Sequence, residues 1–402
     1  MLFDTPSLRY QDVYGNEILR TGSHVCDSLV IVGFNEEQHD ISGEVTLCRY
    51  DGAESEPIPV TFSTLDSGPV SFIKSLEVEP SWNGFSVAYR DIPANVNGMA
   101  HVFYVGTNPY TQEIDTLLVN SFTIEEGGDT LAFQLQQRNA FNTVVVRTED
   151  FRGYMVGQKV WENIESYNTG KFNLTENNVT YPRKSSLTDE GYASIEDVPA
   201  LLGIKYLFDG DIKGETCWGI GGSRYKMFLA GPNAVGEGAP PMYLDLGSKQ
   251  LSAELRVYCM LNTGKSFNTE PYYSAVWHAR YYNKLPNSVT VYASNDEGEW
   301  EDKKWTKLGS FEQDRELETR LRWCARCATN SDWIDEYETL EELQAADPAY
   351  FSVFFPASGQ GDGYRYLKIV FNDTFAAHNP YGCQNENKYL TFHEMELYTK
   401  MD

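Results

Sequence analysis

Short segments of alternating polar and apolar residues recur through the first part of the chain, separated by glycine and asparagine turns, and they leave little room for long helices. The strand-like runs are FIKSLEVEP, GFSVAYRD, AHVFYVG, DTLLVNSFTI, TLAFQLQ and NTVVVRTED. Trp82-Asn83-Gly84, Asn97-Gly98 and Gly127-Gly128 supply turn chemistry between them. In the last run Val145, Arg147 and Glu149 share one face, and Val144 and Val146 the other. Residues 68–150 therefore suit one sandwich of immunoglobulin or fibronectin size.

Residues 1–67 also read as strands only. SLVIVGF, EVTLCRY and IPVTFSTL are separated by the polar turns NEEQHD and DGAESEP. Val45 and Leu47 alternate with polar neighbours, as do Val60 and Phe62, which is the pattern of half-buried strands. The ending resembles the last strands of a fibronectin type III module, where a turn leads into a Glu-x-Pro edge strand. Such a module starts with two further strands, and none is legible before Leu8. The first module is therefore expected to be incomplete.

Composition narrows the partners. The chain has 402 residues, enough for two or three domains, and Tyr and Phe, at 26 and 21, favour strands. The formal net charge of −26 repels phosphate backbones and anionic lipid, which argues against nucleic acid and membrane-surface docking. No apolar stretch is long enough to span a bilayer, and no basic start leads into an apolar run. The missing signal is expected to mean a truncated chain rather than a cytoplasmic one. The seven cysteines are an odd number and scattered, which does not make a disulfide framework.

Residues 151–190 are mixed and polar, with N-x-Thr sequons at Asn173 and Asn178 that read as loop residues unless the host glycosylates. From 155 to 402 the order of blocks carries more information. LFDGDIKGETCW, MYLDLGSK, ELRVYCML, LPNSVTVYASND, YRYLKIVFND and FHEMELY follow one another. Together they resemble the discoidin domain, the coagulation factor V/VIII C-type or galactose-binding-like family, whose fold is a jelly-roll β-sandwich. Excess length lies at 219–240, 262–284 and 312–362, and a capping box of Thr339 and Glu342 predicts a short helix stopped by Asp347-Pro348. The expected fold is all-β: fibronectin III or immunoglobulin-like sandwiches at 1–67 and 68–150, the first incomplete, then a discoidin-like sandwich with insertions at 155–402. This order of modules resembles a group of Bacteroidetes surface lipoproteins. The resemblance implies export to the outer-membrane surface on a lipid anchor, glycan capture, and outer-membrane glycan-import proteins as partners.

The resemblance also implies one structural Ca²⁺ or Na⁺, held by oxygens of the 208–216 loop and a late glutamate. Mapped onto this chain the ligands are Asp209 or Asp211, Thr216 and Glu394, with backbone carbonyls completing the shell. The plainer reading is that these carboxylates cap turns. An EF-hand reading fails, because Lys213 and Ile220 stand where ligands are required. Trp218 reads as core. Cys324-Ala-Arg-Cys327 lacks the βαβ setting of a redox motif, and zinc would need Cys383 and His378 from far along the chain, so chance spacing is the better reading.

No G-x-S-x-G, H-E-x-x-H or P-loop is present, which points away from an enzyme, although carboxylates are plentiful enough for a glycosidase pair. PYYSAVWHARYYNKLP is dense in rings. Trp277, His278, Arg280, Tyr281 and Tyr282 form the candidate glycan site, since sugar C–H faces suit aromatic rings and hydroxyls suit Arg and His. The opposing explanation is that half of these rings are core. Glycan capture thus stands against two rivals, an adhesive protein that binds another protein and an accessory part of a glycoside-processing enzyme.

Overall fold

The computed structural model describes residues 5–23, 29–94, 98–181, 203–217, 228–231, 233–261, 281–327, 337, 339–377, 385, 386 and 388–401. The chain divides into two compact units, Met1–Asn168 and Thr169–Asp402. Every strand pairing within the sheets is antiparallel, and no helix among the described residues is long and apolar enough to cross a membrane.

The first unit opens with β1 (Thr5–Gln11), β2 (Glu17–Thr21), β3 (Gln38–Cys48) and β4 (Ile58–Thr64), in the sheet order β2-β1-β3-β4. Leu8 lies opposite Val45 and Val45 opposite Ile58, so one face is apolar. Phe34 covers part of it, its ring 5.7 Å from Tyr10 and 6.2 Å from Phe62. Among the described residues this sheet has no second sheet of its own. The strand expected over SLVIVGF does not form over 29–34. The Tyr10 hydroxyl donates to the Val32 carbonyl at 2.7 Å and accepts from its N–H at 2.8 Å, taking the groups a ladder would use.

A second correction falls on FIKSLEVEP. It divides between a helix, α1 (Gly68–Ser75), and a strand, β5 (Glu77–Ser81). Pro69 in the first turn favours the helix, and Val70 and Phe72 turn into the core, where Phe72 meets Tyr89 at 4.7 Å. The remaining strands are β6 (Gly84–Ile92), β7 (Gly98–Thr107), β8 (Ile114–Thr123), β9 (Gly127–Gln134), β10 (Phe141–Asp150) and β11 (Met155–Glu165). Sheet β5-β6-β9 and sheet β11-β10-β7-β8 enclose Phe85, Val87, Val102, Phe133, Val144 and Val146.

The expected boundary at 155 is wrong by a whole strand. β11 pairs with β10 along its length, and the second unit begins at Thr169. The sequence MVGQKVWENIE hides this edge strand because few of its side chains are buried.

The second unit contains β12 (Thr169–Lys171), β13 (Val179–Thr180), β14 (Phe228–Ala230), β15 (Met242–Gln250), β16 (Ser252–Cys259), β17 (Pro286–Ser294) and β18 (Thr306–Glu312). It continues through β19 (Ala349–Phe354), β20 (Tyr364–Thr374), β21 (Leu390–Phe392) and β22 (Glu394–Lys400). A four-stranded sheet, β12-β22-β16-β19, and a five-stranded sheet, β13-β15-β20-β17-β18, enclose Leu244, Leu255, Val257, Val289, Val291, Val353, Leu367, Ile369 and Leu397; β14 and β21 form a separate pair. The stretch 312–362 is therefore not all insertion, since β19 completes a sheet. The helix α2 (Leu340–Ala345) starts on the expected capping box: the Thr339 hydroxyl accepts from the Glu342 N–H at 3.1 Å, and Glu342 Oε2 accepts from the Thr339 N–H at 3.2 Å.

Candidate functional site

Several long connections of the second unit collect at one end of its sandwich. Leu261, just past β16, bridges Cys327, which follows β18. Pro286, where β17 begins, lies opposite Thr374, where β20 ends. A 3-10 turn over Tyr281–Lys284 leads into that start.

Of the predicted glycan residues, Trp277, His278 and Arg280 lie outside the described residues, as does Trp218. Tyr281 and Tyr282 have a described backbone only, in that 3-10 turn.

Thr374, opposite Pro286, helps to line a cavity of about 400 Å³ with Arg315, Asn372, Asp373, Asn385, Glu386 and Lys388. Its walls are held firmly. Arg315 Nη1 meets Asp373 Oδ1 at 2.7 Å, and Asn372 Nδ2 donates to the hydroxyls of Ser288 and Thr290 at 3.2 and 3.0 Å. Asn385 Nδ2 donates to the Tyr389 carbonyl at 2.7 Å and to the Thr374 hydroxyl at 3.0 Å. Glu386 and Lys388 are exposed at its rim and have no side-chain partner among the described residues. With their N–H groups already spent, Asn372 and Asn385 present fixed amide oxygens, and Glu386 and Lys388 add side chains of opposite charge, a set that suits hydroxyl groups. Sequence reading missed these residues because they come from the β18–α2 connection, the end of β20 and the β20–β21 loop, with no local motif.

The 203–217 loop lies at the same end: the Leu261 N–H donates to the Lys213 carbonyl at 3.1 Å. Ile204 and Leu207 anchor it in the core. Asp211 Oδ1 accepts from the N–H groups of Gly214 and Glu215, both at 2.7 Å. Its Oδ2 accepts from the Thr216 N–H at 2.9 Å and hydroxyl at 2.6 Å, and His393 Nε2 lies 3.3 Å away. Burial opposes the charge of Asp211, but His393 and Thr216 outweigh it and hold the carboxyl well below the usual range. Asp211 and Thr216, expected as cation ligands, are instead spent on each other and on the turn.

Asp209 and Glu394 are different. Glu394 opens β22, is 1% exposed, and accepts from the Gly210 N–H at 3.2 Å. Burial and then the Asp209 charge push its carboxyl up to about 8, against smaller opposing effects of Gly210 and Lys171. Two facing carboxylates, one of them buried, form a hard-oxygen pair that a cation would stabilise. Among the described residues no three His, Cys, Asp or Glu side chains gather to hold a metal ion, so further ligands would have to be carbonyls.

Cys324 and Cys327 are buried, and the Cys327 N–H donates to the Cys324 carbonyl at 2.9 Å. Burial, and then neighbouring thiols, push Cys259 and Cys327 well above the usual thiol range. They are core thiols here, while Cys383 and His378 lie outside the described residues.

No family model and no curated protein matches the chain. Among solved structures it is similar to a SusE-like protein, with a TM-score of 0.39 and 14% identity over 83% of this chain and 99% of that one. It is also similar to the lectin domain of lectinolysin complexed with Lewis B antigen, at a TM-score of 0.23 and 13% identity over 56% of this chain and 97% of that one. A third is the N-terminal CBM22-1-CBM22-2 tandem domain of Xyn10C from Paenibacillus barcinonensis, at 0.23 and 6% identity over 93% and 89%. Likeness at this level speaks to neither ligand nor activity.

Proposed function

We propose that this chain is a non-enzymatic glycan-binding protein of the discoidin type, exported to the outer-membrane surface on a lipid anchor, where it captures glycan for import proteins. The observation that carries the reading is the polar cavity at the loop end, with Glu386 and Lys388 exposed at its rim. Fixed amides recognise hydroxyls without the entropy cost of ordering themselves first. Thr374 in the cavity lining pairs with Pro286, which follows the turn that carries Tyr281 and Tyr282. The test is a glycan array on the full chain, followed by affinity gels with Asn385→Ala and Lys388→Ala. Sugar-dependent retardation that these changes weaken supports the proposal. Retention by a protein partner with no sugar effect, or release of reducing ends, would replace it with an adhesive or enzymatic role.

The proposal extends to one structural Ca²⁺ or Na⁺ between Asp209 and Glu394, with loop carbonyls as its other ligands. Binding to the folded state alone raises the melting temperature with cation concentration. Adding CaCl₂ should show that rise in the native chain and lose it in Glu394→Gln. An equal rise in both would remove the site.

A further inference from the structure

We propose that the outer face of the five-stranded sheet carries a second sugar-binding platform, built from Trp300 and Trp305 and served by Lys368, for a short run of neutral hexoses. The platform is separate from the loop-end cavity, and it shares with the preceding proposal only the class of ligand.

Alternation places its floor. Met242 and Leu244, Val289 and Val291, and Leu367 and Ile369 face the core. Tyr243, Tyr292 and Lys368 therefore face outwards, and the register aligns them as Tyr243 opposite Lys368 and Lys368 opposite Tyr292. Two indoles lie over this row. Trp300 is 4.8 Å from Tyr243 at 10°, Trp305 is 5.7 Å from it at 20°, and the two indoles are 6.4 Å apart at 12°.

These numbers fix the arrangement. Were Tyr243 sandwiched between them, the indole planes alone would be about 7 Å apart, twice the contact distance of carbon atoms. The 6.4 Å separation is shorter, so both indoles lie on one side of Tyr243, nearly parallel and side by side. Tyr243 is buried beneath them, while both indoles are half-buried. A flat two-ring surface of this kind matches the C–H faces of consecutive hexoses.

The surface is pre-formed. Trp305 Nε1 donates to the Trp300 carbonyl at 3.3 Å, and Tyr366 sets its edge against Trp300 at 5.4 Å and 89°. Lys303 lies 4.0 Å from the Tyr366 ring and donates to the Asp296 carbonyl. Asn295 ties the loop to Gly363 at 2.9 Å and to Arg365 at 3.0 Å. A rigid platform gives up little entropy when it binds.

Lys368 decides between a platform and a mere lid on the sheet. Its ammonium lies 4.7 Å from the Tyr292 ring and 5.0 Å from the Trp305 ring, with no carboxylate or carbonyl acceptor among the described residues. A lid needs no cation, and a partly desolvated ammonium without an acceptor costs stability. A ligand oxygen beside the indoles would supply that acceptor. The loop carries Asp296, Glu297, Glu299, Glu301 and Asp302 against Lys303 and Lys304, so an acidic glycan is repelled and a neutral one is favoured.

The experiment is a titration of the full chain with maltohexaose, cellohexaose, mannohexaose and galactohexaose, with hexagalacturonate as the acidic probe, read by indole fluorescence and calorimetry. At least one neutral probe should bind and shift the emission. Its affinity should fall about tenfold or more in Trp305→Ala and in Lys368→Met, and hold in Asn385→Ala and Lys388→Ala. Circular dichroism checks each fold, and if the tryptophan variant unfolds, Lys368→Met decides alone. Binding of no neutral probe, of the acidic probe only, or binding lost only through the loop-end changes would overturn the platform. The loop-end site is judged by its own affinity gels, on the array glycans it retains, so a hexose probe that still binds the loop-end variants leaves that site untouched.

Discussion

Two cations lie over tyrosine rings on opposite outer faces of the same sandwich, and their surroundings differ in one respect. On the four-stranded sheet Arg256 lies 4.3 Å from the Tyr398 ring and 5.0 Å from the Tyr350 ring. Glu254 grips its guanidinium with two hydrogen bonds of 2.9 Å, and the Tyr398 hydroxyl accepts a third at 3.2 Å. The network continues to Glu396, which accepts from Tyr258 at 2.6 Å, Tyr398 at 3.0 Å and Lys171 at 2.6 Å. Each of these donors ends on an acceptor. On the five-stranded sheet Lys368 meets only rings among the described residues. A closed network accounts for itself through the fold, whereas an open donor asks what else completes it.

The largest effect expected from this difference belongs to Arg256→Met. It leaves the Glu254 carboxylate, with 12% of its side chain exposed, facing Ser352 without a counter-charge. Unfolding in urea should show a loss of about 2–3 kcal/mol, the cost of stranding a mostly buried charge. A loss within error of zero would mean that the network is decoration, and the contrast with Lys368 would collapse.

The same contrast recurs two residues apart in β22 and predicts an intermediate effect of pH. Burial opposes the charge of Glu396, yet Lys171, Tyr258 and Tyr398 together hold its carboxyl below the ordinary value of 4.5. Its contribution is present above that value and is lost as pH falls through the lowered one. Glu394 runs the other way, because its folded carboxyl is raised from 4.5 to about 8. Its favourable contribution is complete below 4.5 and is lost as pH climbs towards 8. Without added cation, the native chain should therefore lose stability relative to Glu394→Gln between pH 5 and 8, as read from paired thermal melts. Parallel melting curves across that range would show that Glu394 and Asp209 do not confront each other as charges.

How far the sequence foretold these sites follows from how local each one is. β6, β7, β8 and β10 were legible because alternation and turn glycines sit side by side in the chain. The 29–34 segment has the same apolar character but loses its backbone partners to the distant Tyr10 hydroxyl, which no window of sequence contains. Asp209 and Glu394 were reached only through a family resemblance, since 184 residues separate Glu394 from the Gly210 N–H it binds. Asp211 was left between a ligand and a turn cap for the opposite reason. Its partners Gly214, Glu215 and Thr216 are local, and a turn-capping pattern resembles a ligand pattern until the hydrogen bonds are traced. The indole platform was missed because its parts come from β15, β17, β20 and the loop before β18. A usable signal was present: Tyr243, Tyr292 and Lys368 interrupt strands whose neighbours on both sides are core residues.

Lys368→Met carries the smallest expected change in stability and the sharpest meaning. Methionine keeps the length and apolar stem of lysine and removes only the ammonium. Desolvation already draws the Lys368 amine below its usual range, so the folded state holds this charge at a cost. Sulfur next to aromatic rings is mildly favourable. Unfolding of the variant should thus be unchanged or strengthened, within about 0.5 kcal/mol, the scale of substitutions that break no interaction. Arg256→Met makes the same chemical replacement over the same kind of ring and should weaken the fold. If both variants lose stability alike, Lys368 is part of the structure's own bonding and the opposite faces do not differ in kind. If only Arg256→Met does, the ammonium at Lys368 contributes nothing to folding, and its contribution must be sought in what lands on the indoles.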